Sequence, residues 1–152
     1  MALHLRQARV TDLPAIYRGE EHYIRTWEPA HEVAWRSQLE RHLTSWVENF
    51  HNLTVAVIDN HFAGYSLWVP EYPYAELWTI HVDPDHQRIG VGTALLKKYA
   101  VDAERRGLSK LRLGVKPTNP ARFMYQKAGF VCVGTRAHDY LTYECGVEDF
   151  ST

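Results

Sequence analysis

Cysteine is scarce in this 152-residue chain. Only Cys132 and Cys145 are present, and they form no Cys-x-x-Cys metal or redox spacing. Both stand in strand-like sequence and are expected to be buried free thiols, as suits a reducing cytosol. The nine histidines are scattered without a His-Glu-x-x-His pair, so no metal site is expected. An excess of charge of one sign is also missing. A formal net charge of −1 argues against a nucleic-acid footprint or a membrane surface as partner. No apolar run approaches the ~20 residues that span a bilayer, and Met-Ala-Leu-His-Leu-Arg at the amino terminus lacks the apolar stretch of a signal peptide. A cytoplasmic protein is expected. There are no internal repeats and no low-complexity linkers. With 45% hydrophobic residues and five tryptophans, residues 1–152 are enough for one packed domain.

Residues 3–9 alternate apolar and polar, as a half-buried strand does. Thr11-Asp12 starts a helix, with Pro14 tolerated in its first turn and Leu13, Ile16 and Tyr17 on one face. Residues 20–31 read as the end of that helix and a connecting loop. Trp35, Leu39, Leu43, Trp46 and Phe50 recur at three-to-four spacing, which predicts a second helix with an aromatic core stripe. Residues 52–58 and 62–69 are strands joined at Asp59-Asn60-His61. The segment from Pro70 to Pro73 breaks the pattern, and residues 75–82 form the next strand. A helix over 92–106 ends with Arg105, Arg106 and Gly107. Residues 110–115 make a short strand. Asn119 and Pro120 start a further helix that ends at Gly129. Residues 130–133 and 139–145 read as a closing antiparallel pair. The order β-α-α-β-β-β-α-β-α-β-β is neither doubly wound nor a bundle.

Residues 82–96, Val-Asp-Pro-Asp-His-Gln-Arg-Ile-Gly-Val-Gly-Thr-Ala-Leu-Leu, are the most informative stretch. A strand ends, a short polar turn follows, and two glycines lead into an amphipathic helix. Glycine tolerates positive φ and lets a bulky anion approach, while the helix start supplies free N–H groups and partial positive charge. The expected guest is a phosphate or pyrophosphate. A Walker-type loop would need Gly-x-x-x-x-Gly-Lys-Ser/Thr, which is absent. A dinucleotide fingerprint would need a third small residue where Leu95 stands. What remains is Gln/Arg-x-x-Gly-x-Gly, as Gln87-Arg88-Ile89-Gly90-Val91-Gly92.

With Val82-Asp83-Pro84 before it, this stretch resembles the acyl-CoA pyrophosphate loop of the GNAT N-acetyltransferase superfamily. The element order is similar to that family too, strongest from Glu76 to Phe130. The resemblance implies an α+β fold: one domain with a mixed, mostly antiparallel sheet of six to seven strands and helices on both faces. It also implies that the strands over 75–82 and 110–115 run parallel and splay apart, which frees backbone groups of the first to pair with pantetheine. Acetyl-CoA is then the cofactor. Backbone groups around Ile80, His81 and Val82 would hold pantetheine. N–H groups over Gln87, Arg88, Ile89, Gly90, Val91 and Gly92 would cradle the pyrophosphate, with the Thr93 hydroxyl beside them. The Arg88 side chain either reaches a phosphate or stays a solvated loop cation. The family's asparagine slot is held by Thr118, so its neighbour Asn119 is either a cofactor contact or a helix cap.

Moving an acetyl group from a thioester to an amine needs three things. The amine must lose a proton, because an alkylamine with pKa near ~10 is mostly ammonium at neutral pH. The oxyanion must be stabilised, and the leaving thiolate must be protonated. Ala-Arg-Phe-Met-Tyr-Gln-Lys-Ala-Gly-Phe over 121–130 is similar to the family helix that carries the thiolate acid, and this points to Tyr125. Its other reading is a packed amphipathic tyrosine. Glu76 is the candidate general base: strict alternation puts it on one face with Trp78, Ile80 and Val82, where burial would raise its pKa. A structural salt bridge is the competing reading, and His81 or ordered water is the alternative base.

Glu20, Glu21, Glu28, Glu71 and Asp139, mixed with Tyr23, Trp27, Tyr72, Tyr74 and Tyr140, fall near the expected acceptor mouth. Of these, Glu21, Tyr23, Trp27, Glu28, Tyr72 and Tyr140 are the expected acceptor contacts, since carboxylates with aromatic faces suit a cationic amine. The reading is acetyl transfer from acetyl-CoA to a primary amine by direct transfer in a ternary complex. Compact loops tilt the acceptor towards a small molecule. The alternatives are a protein or peptide amino terminus or lysine, or a non-catalytic acyl-CoA sensor. Exposed strand edges leave room for a homodimer.

Overall fold

A computed structural model of the chain describes residues 2–151. It opens with strand β1 (Leu3–Gln7) and helix α1 (Leu13–Trp27). Pro14 sits in the first turn of α1, where no helical partner for its nitrogen is lost. The helix runs on to Trp27, inside the segment 20–31 expected to hold its end and a connecting loop. Its inner side stays in register through Ile16 and Gly19, both buried, and on to half-buried Tyr23 and Trp27.

The expected second helix is two helices, α2 (Glu32–Arg36) and α3 (Leu39–Glu48). The chain breaks between them, where the Ser37 hydroxyl donates back to the Ala34 carbonyl at 2.8 Å and Gln38 leaves helical geometry. The aromatic stripe is therefore only partly core. Trp46 is buried, Leu39 is exposed, and half-buried Trp35 stacks between Tyr17 and His42.

Strands β2 (Leu53–Ile58), β3 (His61–Glu71) and β4 (Tyr74–Val82) form a meander. Strand β3 continues through Pro70, against the expectation of a break there. The pairing of β2 with β3 begins at Leu53 and Leu67, so Pro70 lies where β2 no longer runs alongside and its missing N–H interrupts no ladder. Helix α4 (Val91–Arg105), strand β5 (Lys110–Val115), helix α5 (Ala121–Lys127) and strands β6 (Val131–Thr135) and β7 (Leu141–Gly146) follow.

The seven strands form one sheet in the order β1-β2-β3-β4-β5-β7-β6. Every pairing is antiparallel except β4 with β5. Apolar groups of β4 and β5 pack with α4 and α5 on one face, around Leu77, Leu96, Tyr99, Leu111, Leu113 and Phe130. On the other face Ile16 and Trp46 close over Val55, Tyr65 and Leu67. This is the mixed α+β fold that the resemblance implies. Cys145 is buried, but Cys132 is exposed, because β6 is the sheet's edge and no layer covers it.

Leu96 of α4 has no exposed surface and packs in the cluster that holds β4 and β5 against the helix. Leu96→Ala is expected to lower the unfolding free energy by about 2–5 kcal/mol, read by urea denaturation with an unchanged m-value. A loss below about 1 kcal/mol would mean that the helix face collapses into the space.

Candidate active site

Strands β4 and β5 pair only from Tyr74 with Lys110 to Leu77 with Leu113. Beyond Leu77 they diverge. On its other side β4 stays paired with β3 as far as Val82, but with one extra residue: Leu77 faces Trp68 and Thr79 faces Leu67, which leaves Trp78 as a bulge. The departing half of β4 thus presents backbone groups with no neighbouring strand, the kind of edge to which an extended amide group can add.

The loop after β4 ends at the start of α4. Asp83 is held by its N–H to the Ala63 carbonyl at 2.8 Å, and Pro84–His86 make a short 3-10 turn. Arg88 and Gly90 take left-handed backbone with φ of 64° and 91°. Glycine does this freely, whereas Arg88 bears a strain of about 1–2 kcal/mol. The helix begins at Val91, one residue before the expected Gly92. Its first turn bond runs from the Ala94 N–H to the Gly90 carbonyl, so the N–H groups of Val91, Gly92 and Thr93 point out of the helix end. A Cβ on Gly92 would sit 3.2 Å from Met124 Sδ and 3.5 Å from Val82 Cγ2. Glycine there lets α5 close against the loop.

These elements border a cleft of about 1160 Å³. Ile80, His81 and Val82 line it from β4. Gln87, Arg88, Gly90, Val91, Gly92 and Thr93 line it from the loop and helix start, while Ile89 points to solvent outside it. The residues present suit a phosphate-bearing pantetheine group: a free strand edge, three outward N–H groups and one arginine meet in one channel. Asn119 is both wall and cap, since its Oδ1 accepts the Ala121 N–H at 2.9 Å. Tyr125 projects from α5 with its ring edge-on to Phe130. It is buried yet reaches the cleft. Burial, followed by the nearby Tyr23, pushes its pKa well up, so the phenol keeps its proton at neutral pH.

Glu76 stands elsewhere than alternation predicts. Ala75 and Leu77 pack towards α4, and after the bulge so do Ile80 and Val82. Glu76, Thr79 and His81 are turned to the opposite face. There Arg112 Nε donates to Glu76 Oε1 at 2.6 Å and Arg136 Nη1 donates to Oε2 at 3.0 Å. Both oxygens accept from guanidinium groups, the salt-bridge arrangement that is the competing reading. Arg136 reaches β4 across β5 because Gly114 has no side chain: a Cβ there would lie 3.1 Å from Arg136 Nη1. The pair anchors the β6–β7 connection, which carries Tyr140, to the strand at the splay.

Where the acceptor contacts are expected, the hydroxyls of Tyr23 and Tyr140 are 2.6 Å apart, and the Tyr140 hydroxyl donates to Glu28 Oε2. Trp27 lines the same wall. Two expected contacts lie away from it. Glu21 pairs with Arg36 at 2.6 Å and Arg25 at 3.5 Å on the outside of α1, and Tyr72 is 78% exposed in the β3–β4 turn. Glu20, adjacent to Glu21 but roughly 100° round the helix, is the carboxylate that enters the cleft. It accepts from the Tyr65 hydroxyl at 2.5 Å and the Thr79 hydroxyl at 3.0 Å. The helical spacing Ile16, Glu20, Tyr23, Trp27 is the signal that separates Glu20 from Glu21. His81, half-buried beside His22, has its pKa lowered to about 4, mainly by desolvation, and is neutral.

Comparison with known proteins agrees with this geometry. Residues 16–130 match the model of the Acetyltransferase (GNAT) family. Ribosomal protein bS18-alanine N-acetyltransferase of Escherichia coli (strain K12) is 31% identical over 140 residues, which are 91% of this chain and 87% of that one. The crystal structure of PaiA N-acetyltransferase from Thermoplasma acidophilum in complex with coenzyme A matches with a TM-score of 0.82 at 23% identity, covering 96% of this chain and 99% of that one. Ribosomal-protein-alanine N-acetyltransferase from Brucella melitensis matches with a TM-score of 0.78 at 22% identity, covering 94% and 99%. The chain belongs to the GNAT acetyltransferase family. It is an N-acetyltransferase, and the acyl donor of that family is acetyl-CoA. No helix among the described residues is long and apolar enough to cross a membrane.

Glu76→Gln leaves two guanidinium groups facing a neutral amide. Because both arginines are partly solvated, the expected loss is about 1–3 kcal/mol of stability, less than for a fully buried pair, seen as a lower melting temperature. A variant that melts like the parent but loses turnover would support the base role for Glu76.

Proposed function

We propose that this chain transfers the acetyl group of acetyl-CoA directly to the amino group at a peptide or protein terminus. The observation that carries this reading is the meeting of three features in one cleft: the unpaired edge of β4, the open N-terminus of α4 and the Tyr125 phenol. The β4 edge and the loop amides would hold pantetheine and pyrophosphate. A thioester held this way would lie beside β4 N–H groups able to oppose the oxyanion charge. Tyr125, kept neutral by burial, is placed to give its proton to the leaving sulfur. Neither cysteine lines the cleft, which supports direct transfer over an acyl-cysteine route.

The peptide acceptor, preferred here over a small amine, has two supports. The relatives covering nine-tenths of the chain are named as acetylating an alanine of a ribosomal protein, and the cleft wall includes Trp35 and Trp46 as well as Tyr23 and Tyr140.

Acetyl-CoA at about 100-fold above its Kd is expected to raise the melting temperature by about 5–10 °C, and no shift would remove the enzyme reading. Tyr125→Phe is expected to lower kcat about 100-fold while the acetyl-CoA-induced shift persists. Thiol release should be faster with alanine-initiated peptides than with internal-lysine peptides or free polyamines. The reverse order would favour a small-molecule acceptor.

A further inference from the structure

The transfer reaction proposed above leaves one step without a residue, the removal of the ammonium proton. We infer that Glu20 takes that proton, directly or through one water, while the Tyr65 hydroxyl turns to follow the change in charge.

Three carboxylates reach the cleft. Glu76 is held between Arg112 and Arg136. Glu28 receives the Tyr140 hydroxyl at the acceptor end. Glu20 differs from both: no lysine or arginine among the described residues pairs with it, and its donors are two neutral hydroxyls. Both donors fall on Oε2, and no described residue donates to Oε1.

The hydroxyl of Tyr65 gives this carboxylate satisfactory partners in either protonation state. It lies 2.5 Å from Glu20 Oε2 and 3.3 Å from the Ile16 carbonyl, and a phenol has one proton to place. While Glu20 is charged, Tyr65 donates to Oε2. Once Glu20 holds a proton, the carboxyl donates to the phenol oxygen and Tyr65 donates to Ile16. Neither state strands a buried polar group.

The surroundings also keep charge away from Glu20. Tyr65 on β3 is held neutral by burial. On β4, His81 is lowered to about 4, mainly by burial and then by His22 of α1. Tyr23, on α1 itself, is pushed up to about 12. Burial raises Glu20 above the ordinary carboxylate range, against the pull of its two hydroxyl donors. The position fits as well. Thr79, which touches Glu20, directly follows the bulged Trp78 at the splay, and Tyr23 lies within electrostatic reach of Glu20 on one side and Tyr125 on the other.

The balance is simple. One proton leaves the ammonium for Glu20 and passes on to solvent. The nitrogen lone pair forms the C–N bond as the C–S bond breaks, and the sulfur takes the Tyr125 proton. The second proton of the attacking nitrogen restores the phenol. The products are the N-acetyl amide, free thiol and one released proton.

The test is the pH profile of kcat/KM for an alanine-initiated peptide. Glu20→Gln is expected to lose about 10-fold near pH 7, where a terminal amine with pKa near ~8 is mostly ammonium, and less than about 2-fold near pH 10, where it is free, with the acetyl-CoA-induced melting shift retained. Tyr65→Phe removes a donor that favours the charged carboxylate, so the acid limb should move to higher pH. This second variant decides the matter if Glu20→Gln does not fold. An equal loss at every pH, no loss, or an unmoved limb in Tyr65→Phe would overturn the assignment while the transfer reading stands. Failure of the parent chain to release thiol with any amine would overturn both.

Discussion

A parallel strand pair stays zipped unless something bends one strand away, and here that something is the extra residue Trp78 in β4. A bulge adds twist and local bend, and the pairing with β5 stops one residue before it. Two consequences follow. The upper half of β4 keeps β3 on one side and offers its other edge to the cleft. The bulge also inverts which residues face α4, so Ile80 and Val82 join the core while Thr79 and His81 turn towards α1. The loop amides at Gly90 to Thr93 and the Tyr125 phenol gain their place beside a usable strand edge from this one irregularity.

Two glutamates show how environment assigns different work to one residue type. Glu76 meets two guanidinium groups and becomes a tie between β4, β5 and the β6–β7 connection. Glu20 meets two hydroxyls and no cation, and burial makes its charge costly. The first arrangement holds the wall that carries Tyr140. The second leaves a carboxylate free to change its proton count. Tyr125 follows the same logic from the opposite side, since burial that would disfavour a phenolate keeps a phenol available as a donor.

What could be read from the sequence was local. Residues 82–96 carry their geometry within themselves, because glycine's tolerance of positive φ and the amphipathic run after it do not depend on distant partners. The parallel strands on either side of α4 came with the family resemblance that this unit carries. Long-range facts were not legible. Glu76 pairs with residues 36 and 60 positions away, and no periodicity announces them. The bulge was hidden because Tyr74 to Val82 alternates plausibly without it. The break at Ser37-Gln38 was hidden because α3 resumes nearly in phase with α2. Cys132 looked like core because nothing local marks β6 as the edge.

The sequence by itself therefore determined the element order, the phosphate-type loop and the tyrosine-bearing helix, all set by backbone preferences and apolar spacing over a few residues. Tertiary structure alone decided which side chains share the cleft. It placed Glu20 inside and Glu21 outside, and it joined Glu76 to two guanidinium groups. The physical reason is that a side chain's chemistry depends on its solvation and its charged neighbours, and in this chain those neighbours arrive from strands and loops far away along the backbone.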